Sequence, residues 1–147
     1  MHTEHLQNVR VGIVFGGWLI AAAVASLVVF VLAASGIADM TDRGGGVWAF
    51  LAVLLGFWAG GVFTGLRAVQ APVLHGVAIG IASLVAWVAA NLLASALPEA
   101  PTWTSLTPGL ALGLLLAQMA AAVIGALMGY NIALRGRPGL TEHEPVD

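Results

Sequence analysis

The 147-residue chain has no cysteine and no lysine, and only 8% of its residues are charged. Without cysteine it has no disulfide framework, no thiolate metal site and no thiol nucleophile. A soluble domain usually has about 25% charged residues, so this chain has too few charges to cover a globular surface. The sequence therefore predicts an integral membrane protein. The net charge of −2 leaves no basic surface for nucleic acid.

Charge is also missing from four long apolar stretches, which contain no Asp, Glu, Lys or Arg. Their approximate bounds are 11–34, 47–66, 73–97 and 109–134. Because about 20 apolar residues span a bilayer as a helix, we predict an all-α polytopic membrane protein. Its four transmembrane helices are expected to form two tandem hairpins packed through small-residue faces. A signal peptide is the alternative for the first stretch, although its apolar run exceeds the usual 7 to 15 residues of such a signal.

The segments between and around these stretches are short. Residues 1–10 form a polar N-terminal segment, and residues 135–147 form a polar tail. The triplet Gly44-Gly45-Gly46 is expected to lie in a flexible loop before the second span. Pro72 stands where the third helix would begin, a favoured position for proline.

Arginine placement predicts the orientation, since cytoplasmic loops of membrane proteins are enriched in basic residues. One set of segments holds four arginines and the other set holds only Arg43. The four are Arg10, Arg67, Arg135 and Arg137. Both termini are therefore predicted to be cytoplasmic. Arginine without lysine, together with many alanines and glycines, is typical of a GC-rich bacterial genome, and we expect the bacterial inner membrane.

Glycines repeat along the chain at an offset of 64 residues. Gly12, Gly16, Gly45, Gly61 and Gly65 correspond to Gly76, Gly80, Gly109, Gly125 and Gly129. This repeat indicates two helical hairpins related by an axis along the membrane normal. The alternative is coincidence, because small residues at a period of four also recur between unrelated membrane helices.

Small residues four apart line one face of each predicted span. Such faces allow close helix packing in lipid, where hydrophobic exclusion gives little attraction. The predicted packing positions are Gly56, Gly60, Gly61, Gly65, Gly76, Gly80, Gly113, Ala117, Ala121, Gly125 and Gly129. The second span has two adjacent glycine rows, so one row is expected to face inward and the other, with Gly61 and Gly65, to face a partner. We therefore predict a homo-oligomer or a larger membrane-protein complex.

Polar residues inside the spans are few, and three are candidates for a polar contact. Asn91 and Gln118 lie at similar depths in the third and fourth spans and are expected to hydrogen-bond across the two helices. His75, near the start of the third span, is the third candidate, either as an interfacial hydrogen-bonding group or as a group that changes charge near neutral pH. No histidine spacing matches a metal site, and no cofactor is expected. Without a nucleophile and base pair or paired carboxylates, the sequence predicts no enzymatic activity.

The block GFWAGGVFTGLRA, followed by His75-Gly76 and Gly80, resembles an uncharacterised family of small bacterial four-span membrane proteins. The end of the fourth span, IGALMGYNIALR, is similar to the last helix of that family. The resemblance implies the topology and no activity. The predicted function is a structural or accessory subunit that associates with itself or another membrane protein. The alternative is a small oligomeric transporter or channel, lined by Asn91, Gln118, Ser83 or Thr64.

Overall fold

The computed structural model describes residues 9–38, 43–68, 71–96 and 108–136. This part of the chain forms four helices, α1 (Val11–Ala34), α2 (Arg43–Arg67), α3 (Pro72–Ser95) and α4 (Pro108–Arg135). All four are long and apolar enough to cross a membrane. The prediction of an all-α fold with four packed membrane-spanning helices is confirmed, and the chain is a multi-pass membrane protein in contact with the lipid bilayer.

The second helix begins earlier than the sequence pattern indicates. Gly44, Gly45 and Gly46 belong to the first turns of α2, so the prediction of a flexible glycine loop is wrong. Glycine costs about 1 kcal/mol in a helix interior. A helix satisfies its own backbone hydrogen bonds, however, and near a membrane this gain outweighs the glycine penalty. Pro72 and Pro108 are the first residues of their helices, where proline loses no hydrogen bond.

The helices form two antiparallel hairpins joined by a parallel central pair. The α1 and α2 helices form one hairpin, and α3 and α4 form the other. The most extensive contact is between α2 and α4, which run in the same direction. The centre of the bundle is a cluster to which every helix contributes, made of Val14, Ala21, Phe57, Ile79 and Ala122.

Burial is uneven along α3. Every buried residue of this helix lies between Pro72 and Gly80. Residues 81–96 are all exposed or only half-buried. The first nine residues of α3 therefore hold it in the bundle, and its remaining length extends beside α4 with little cover from this chain.

Candidate functional site

The first glycine row of α2 packs against α1. A Cβ atom added at Gly56 would lie 2.8 Å from the Cβ of Ala25, and one added at Gly60 would lie 2.9 Å from the Cβ of Ala21. Each would also meet a backbone carbonyl oxygen of α1. Real Cβ atoms do not approach so closely, so only glycine permits this separation of the two helices.

The second glycine row of α2 packs against α4 of the same chain. A Cβ atom at Gly61 would lie 2.9 Å from the carbonyl carbon of Ala122, and one at Gly65 would lie 2.8 Å from the backbone nitrogen of Tyr130. The expectation that this row faces a partner protein is therefore corrected. The second row is needed because α2 is the central helix, with α1 on one side and α4 on the other.

The glycines of α4 return the same contacts to α2. A Cβ atom at Gly125 would lie 2.9 Å from the nitrogen of Val62, and one at Gly129 would lie 3.0 Å from the nitrogen of Leu66. The Gly65–Tyr130 and Gly129–Leu66 contacts interchange when 64 is added to one number and subtracted from the other. The α2–α4 pair therefore has local two-fold symmetry about an axis parallel to the helices, in the register of the glycine repeat.

The symmetry does not extend to α1 and α3. Gly76 and Gly80 pack against α4, where added Cβ atoms would lie 2.6 Å from the Cα of Val123 and 2.9 Å from the Cβ of Met119. Their repeat partners in α1 differ, because Gly12 has no atom within 4 Å of an added Cβ and Gly16 meets only a side chain, that of Phe63. The two hairpins thus share a central pair but place their outer helices differently.

The remaining predicted packing positions lie towards the start of α4, and their surroundings differ. Ala121 packs against the central cluster, and Ala117 is half-buried. Gly113 has no atom within 4 Å of an added Cβ, so it packs against no other helix among the described residues. Its place in the glycine ladder predicts a contact that the structure does not form, because α2 and α4 are no longer in backbone contact at this end.

His75 connects the start of α3 to the start of α1. The imidazole is 1% exposed. Its Nε2 accepts a hydrogen bond from the backbone N–H of Arg10 over 3.2 Å, and its Nδ1 lies 2.9 Å from the carbonyl oxygen of Ala71. Since a carbonyl oxygen only accepts, Nδ1 carries the proton and the ring is the neutral Nδ1–H tautomer. Both ring nitrogens are engaged in a structural contact.

The carbonyl that His75 binds belongs to a residue with an unusual backbone. Ala71 precedes α3 in the left-handed conformation, with φ of 53°. This conformation costs a non-glycine residue about 1–2 kcal/mol. The hydrogen bond from the imidazole, together with the first turn of α3, holds Ala71 in this arrangement.

Asn91 and Gln118 do not form the predicted bond with each other. The Asn91 side chain donates to the carbonyl oxygen of Trp87 in its own helix over 2.8 Å, and Asn91 is half-buried. Gln118 is only 5% exposed and lies on α4. The prediction relied on equal depth, but residues 81–96 of α3 are too weakly held to the bundle to bring these two amides together. Thr64, also buried, donates to the carbonyl oxygen of Gly61.

An apolar groove lies between the beginnings of α2 and α4, with a volume of about 730 Å³. Its described walls consist of glycine, alanine, valine, leucine and phenylalanine only. Gly46, Ala49 and Phe50 contribute from α2, and Gly109, Gly113 and Leu114 contribute from α4. No sequence signal marked this groove, because it arises from the separation of two helices and not from a residue pattern.

Within the described residues, no group of three or more His, Asp or Glu side chains is arranged to hold a metal ion. Three of the predicted polar positions are thus at separate places in the fold: His75 at one end, Gln118 near the middle and Asn91 towards the other end. No family model, curated protein or solved structure matches this chain. The resemblance to small bacterial four-span proteins stays a prediction.

Proposed function

We propose that this protein is a non-enzymatic structural or accessory subunit that binds another membrane helix through the second half of α3. The binding surface, called here the alanine face, consists of Ala86, Ala90 and Ala94. The observation that supports it is the lack of burial from residue 81 onward, on a helix that continues to present an alanine at every fourth position.

The alanine face continues a row that is already used for packing. Ala78 and Ala82 pack against the central cluster of the bundle. Further along the same row, Ala86 and Ala94 are half-buried and Ala90 is exposed. Small residues let helix backbones approach closely in lipid, so the exposed part of the row fits a further helix.

The arginines support the proposed orientation. Arg10 stands directly before α1, and Arg67 and Arg135 end the parallel helices α2 and α4. The contact between Arg10 and His75 places the start of α1 beside the start of α3. Three arginines therefore lie at one end of the bundle, and the positive-inside rule assigns that end to the cytoplasm. We propose the bacterial inner membrane as the location.

The proposal is tested by enlarging the alanine face. Ala90→Leu is expected to weaken association of the protein in native membranes by about tenfold, because helix contacts in lipid contribute roughly 1–2 kcal/mol. The readout is migration on a native gel after mild solubilisation. The matched control is Val85→Leu, on the same helix at a position that is 62% exposed and outside the alanine face.

A single-cysteine variant identifies the partner, since the chain has no cysteine of its own. Ala90→Cys should form a disulfide-linked dimer if the partner is a second copy carrying the same cysteine. Crosslinking through a bifunctional thiol and amine reagent should capture a different subunit. Migration as a monomer of 15.0 kDa before and after substitution would rule out the accessory role.

The transporter alternative has no specific observation in its favour. Thr64 faces the α1 side of the bundle, where its methyl group lies close to Gly17, while Asn91 is on the weakly packed half of α3. Solute flux in liposomes containing the purified protein would favour the transporter over the accessory subunit.

A further inference from the structure

We propose that the groove between α2 and α4 holds one acyl chain of a membrane phospholipid. The proposal concerns a different surface from the alanine face and does not depend on the accessory role. Its starting point is that the groove is the direct continuation of the α2–α4 interface. In the closed part of that interface, a Cβ atom at Gly125 would meet backbone atoms of Trp58 and Val62.

The same ladder is empty at the beginning of α4. Gly109 and Gly113 have no atom within 4 Å of an added Cβ, and the same is true of Gly46 on the opposite wall. The two helices have therefore separated, and the space that a glycine contact fills further along is open here. A packing surface of this kind in lipid is filled by another apolar group.

Water is a poor occupant of this space. A buried water molecule needs two to four polar partners, and the described walls offer only hydrocarbon side chains and glycine. The groove also extends from Gly46 to Val53 along α2, and Val53 lies about 15 Å from the start of that helix at 1.5 Å per residue. This depth is beyond the headgroup layer, where hydrocarbon is the surrounding solvent.

The shape of the groove favours a single chain over a helix. One turn beyond Val53, Phe57 and Ala122 meet in the central cluster, so the groove closes at that end. A helix with side chains has a diameter of about 10–12 Å and cannot enter a closing wedge. The volume of about 730 Å³ falls within the range of small-ligand sites, which a flexible hydrocarbon chain can fill.

The experiment measures phospholipid retained by the full-length protein. Purified protein in mild detergent is incubated with a phospholipid with two 16- or 18-carbon chains, and bound lipid is counted by native mass spectrometry. The wild type should retain one lipid per chain. Gly113→Phe, which fills the groove from α4, should weaken retention at least about tenfold because two or more methylene groups lose their site. Ala49→Phe, from the opposite wall, should act in the same way.

The matched control is Leu112→Phe, the neighbouring position, which is 58% exposed to the bilayer and should retain lipid like the wild type. Thermal unfolding of each variant separates a filled groove from a misfolded bundle. Equal retention by Gly113→Phe, Ala49→Phe and the wild type would overturn the proposal. So would a folded wild type that retains no lipid.

Discussion

The two ends of the α2–α4 pair are built from the same residue pattern but behave differently. Around Gly61 and Gly125 the backbones are in contact, and each glycine is required by a neighbouring carbonyl. Around Gly46 and Gly113 the helices are apart and no atom approaches. A glycine every fourth residue therefore permits close packing but does not impose it. The difference comes from which end is also held by α1 and α3.

That difference follows the distribution of buried contacts. The end with the arginines contains His75, Ile79 and the buried part of α3. The opposite end has the apolar groove and residues 81–96. We call these the closed end and the open end of the bundle. The closed end stabilises the fold, and the open end offers surfaces for lipid and for a partner helix.

The largest expected effect comes from adding bulk at the closed end. Gly61→Leu and Gly125→Leu should each lower the free energy of unfolding by about 3 kcal/mol, because overpacking against a rigid backbone commonly costs about 1–3 kcal/mol and sometimes more. The two losses should be similar, since the positions are related by the local two-fold symmetry. Unfolding in mixed micelles with increasing sodium dodecyl sulfate measures them.

Gly113→Leu at the open end is the control for this comparison. It adds the same side chain to the same ladder and should change the stability by less than about 0.5 kcal/mol. A loss at Gly113 as large as that at Gly125 would show that the two ends do not differ in packing.

A smaller effect is expected from polar contacts at the two ends. His75→Ala removes a buried side chain that accepts from Arg10 and leaves that N–H without its partner, which should cost about 2 kcal/mol. Asn91→Ala at the open end removes only a local bond to Trp87 and should cost less than about 0.5 kcal/mol. The same detergent titration measures both, and equal losses would contradict the assigned role of His75.

The smallest effect is a gain in stability. Ala71→Gly relieves the left-handed backbone before α3 and should raise the free energy of unfolding by about 1 kcal/mol. Ala68→Gly is the control, because Ala68 has no positive φ and the exchange there brings no relief of strain. If Ala71→Gly is destabilising, the strain at this position is not a cost to the fold.

Much of the fold follows from sequence because lipid solvent restricts the choices. Apolar length defines the four spans, and the glycine repeat predicts the register in which Gly61 and Gly125 meet. The sequence does not indicate which helix a given glycine row faces, so the row with Gly61 was expected to bind a partner. The outcome depends on the order of helices around α2, which spacing alone does not encode.

The candidate sites were harder to predict than the fold. His75 binds a backbone N–H 65 residues away, and every residue except proline has such a group, so no pattern identifies the partner. The groove lies where Gly109 and Gly113 lack a neighbour, although their spacing is that of packing residues. Asn91 and Gln118 matched in depth, but depth does not fix the direction of a side chain around its helix.

The central claim is that α2 and α4 are parallel, close at one end and apart at the other. Its most direct test is the distance between spin labels at repeat-related positions in one chain, diluted with unlabelled protein. Labels at Leu66 and Tyr130 report the closed end, and labels at Trp48 and Leu112 report the open end. The account predicts a clearly shorter distance for the first pair. Equal distances, or a shorter distance between positions 48 and 112, would contradict it.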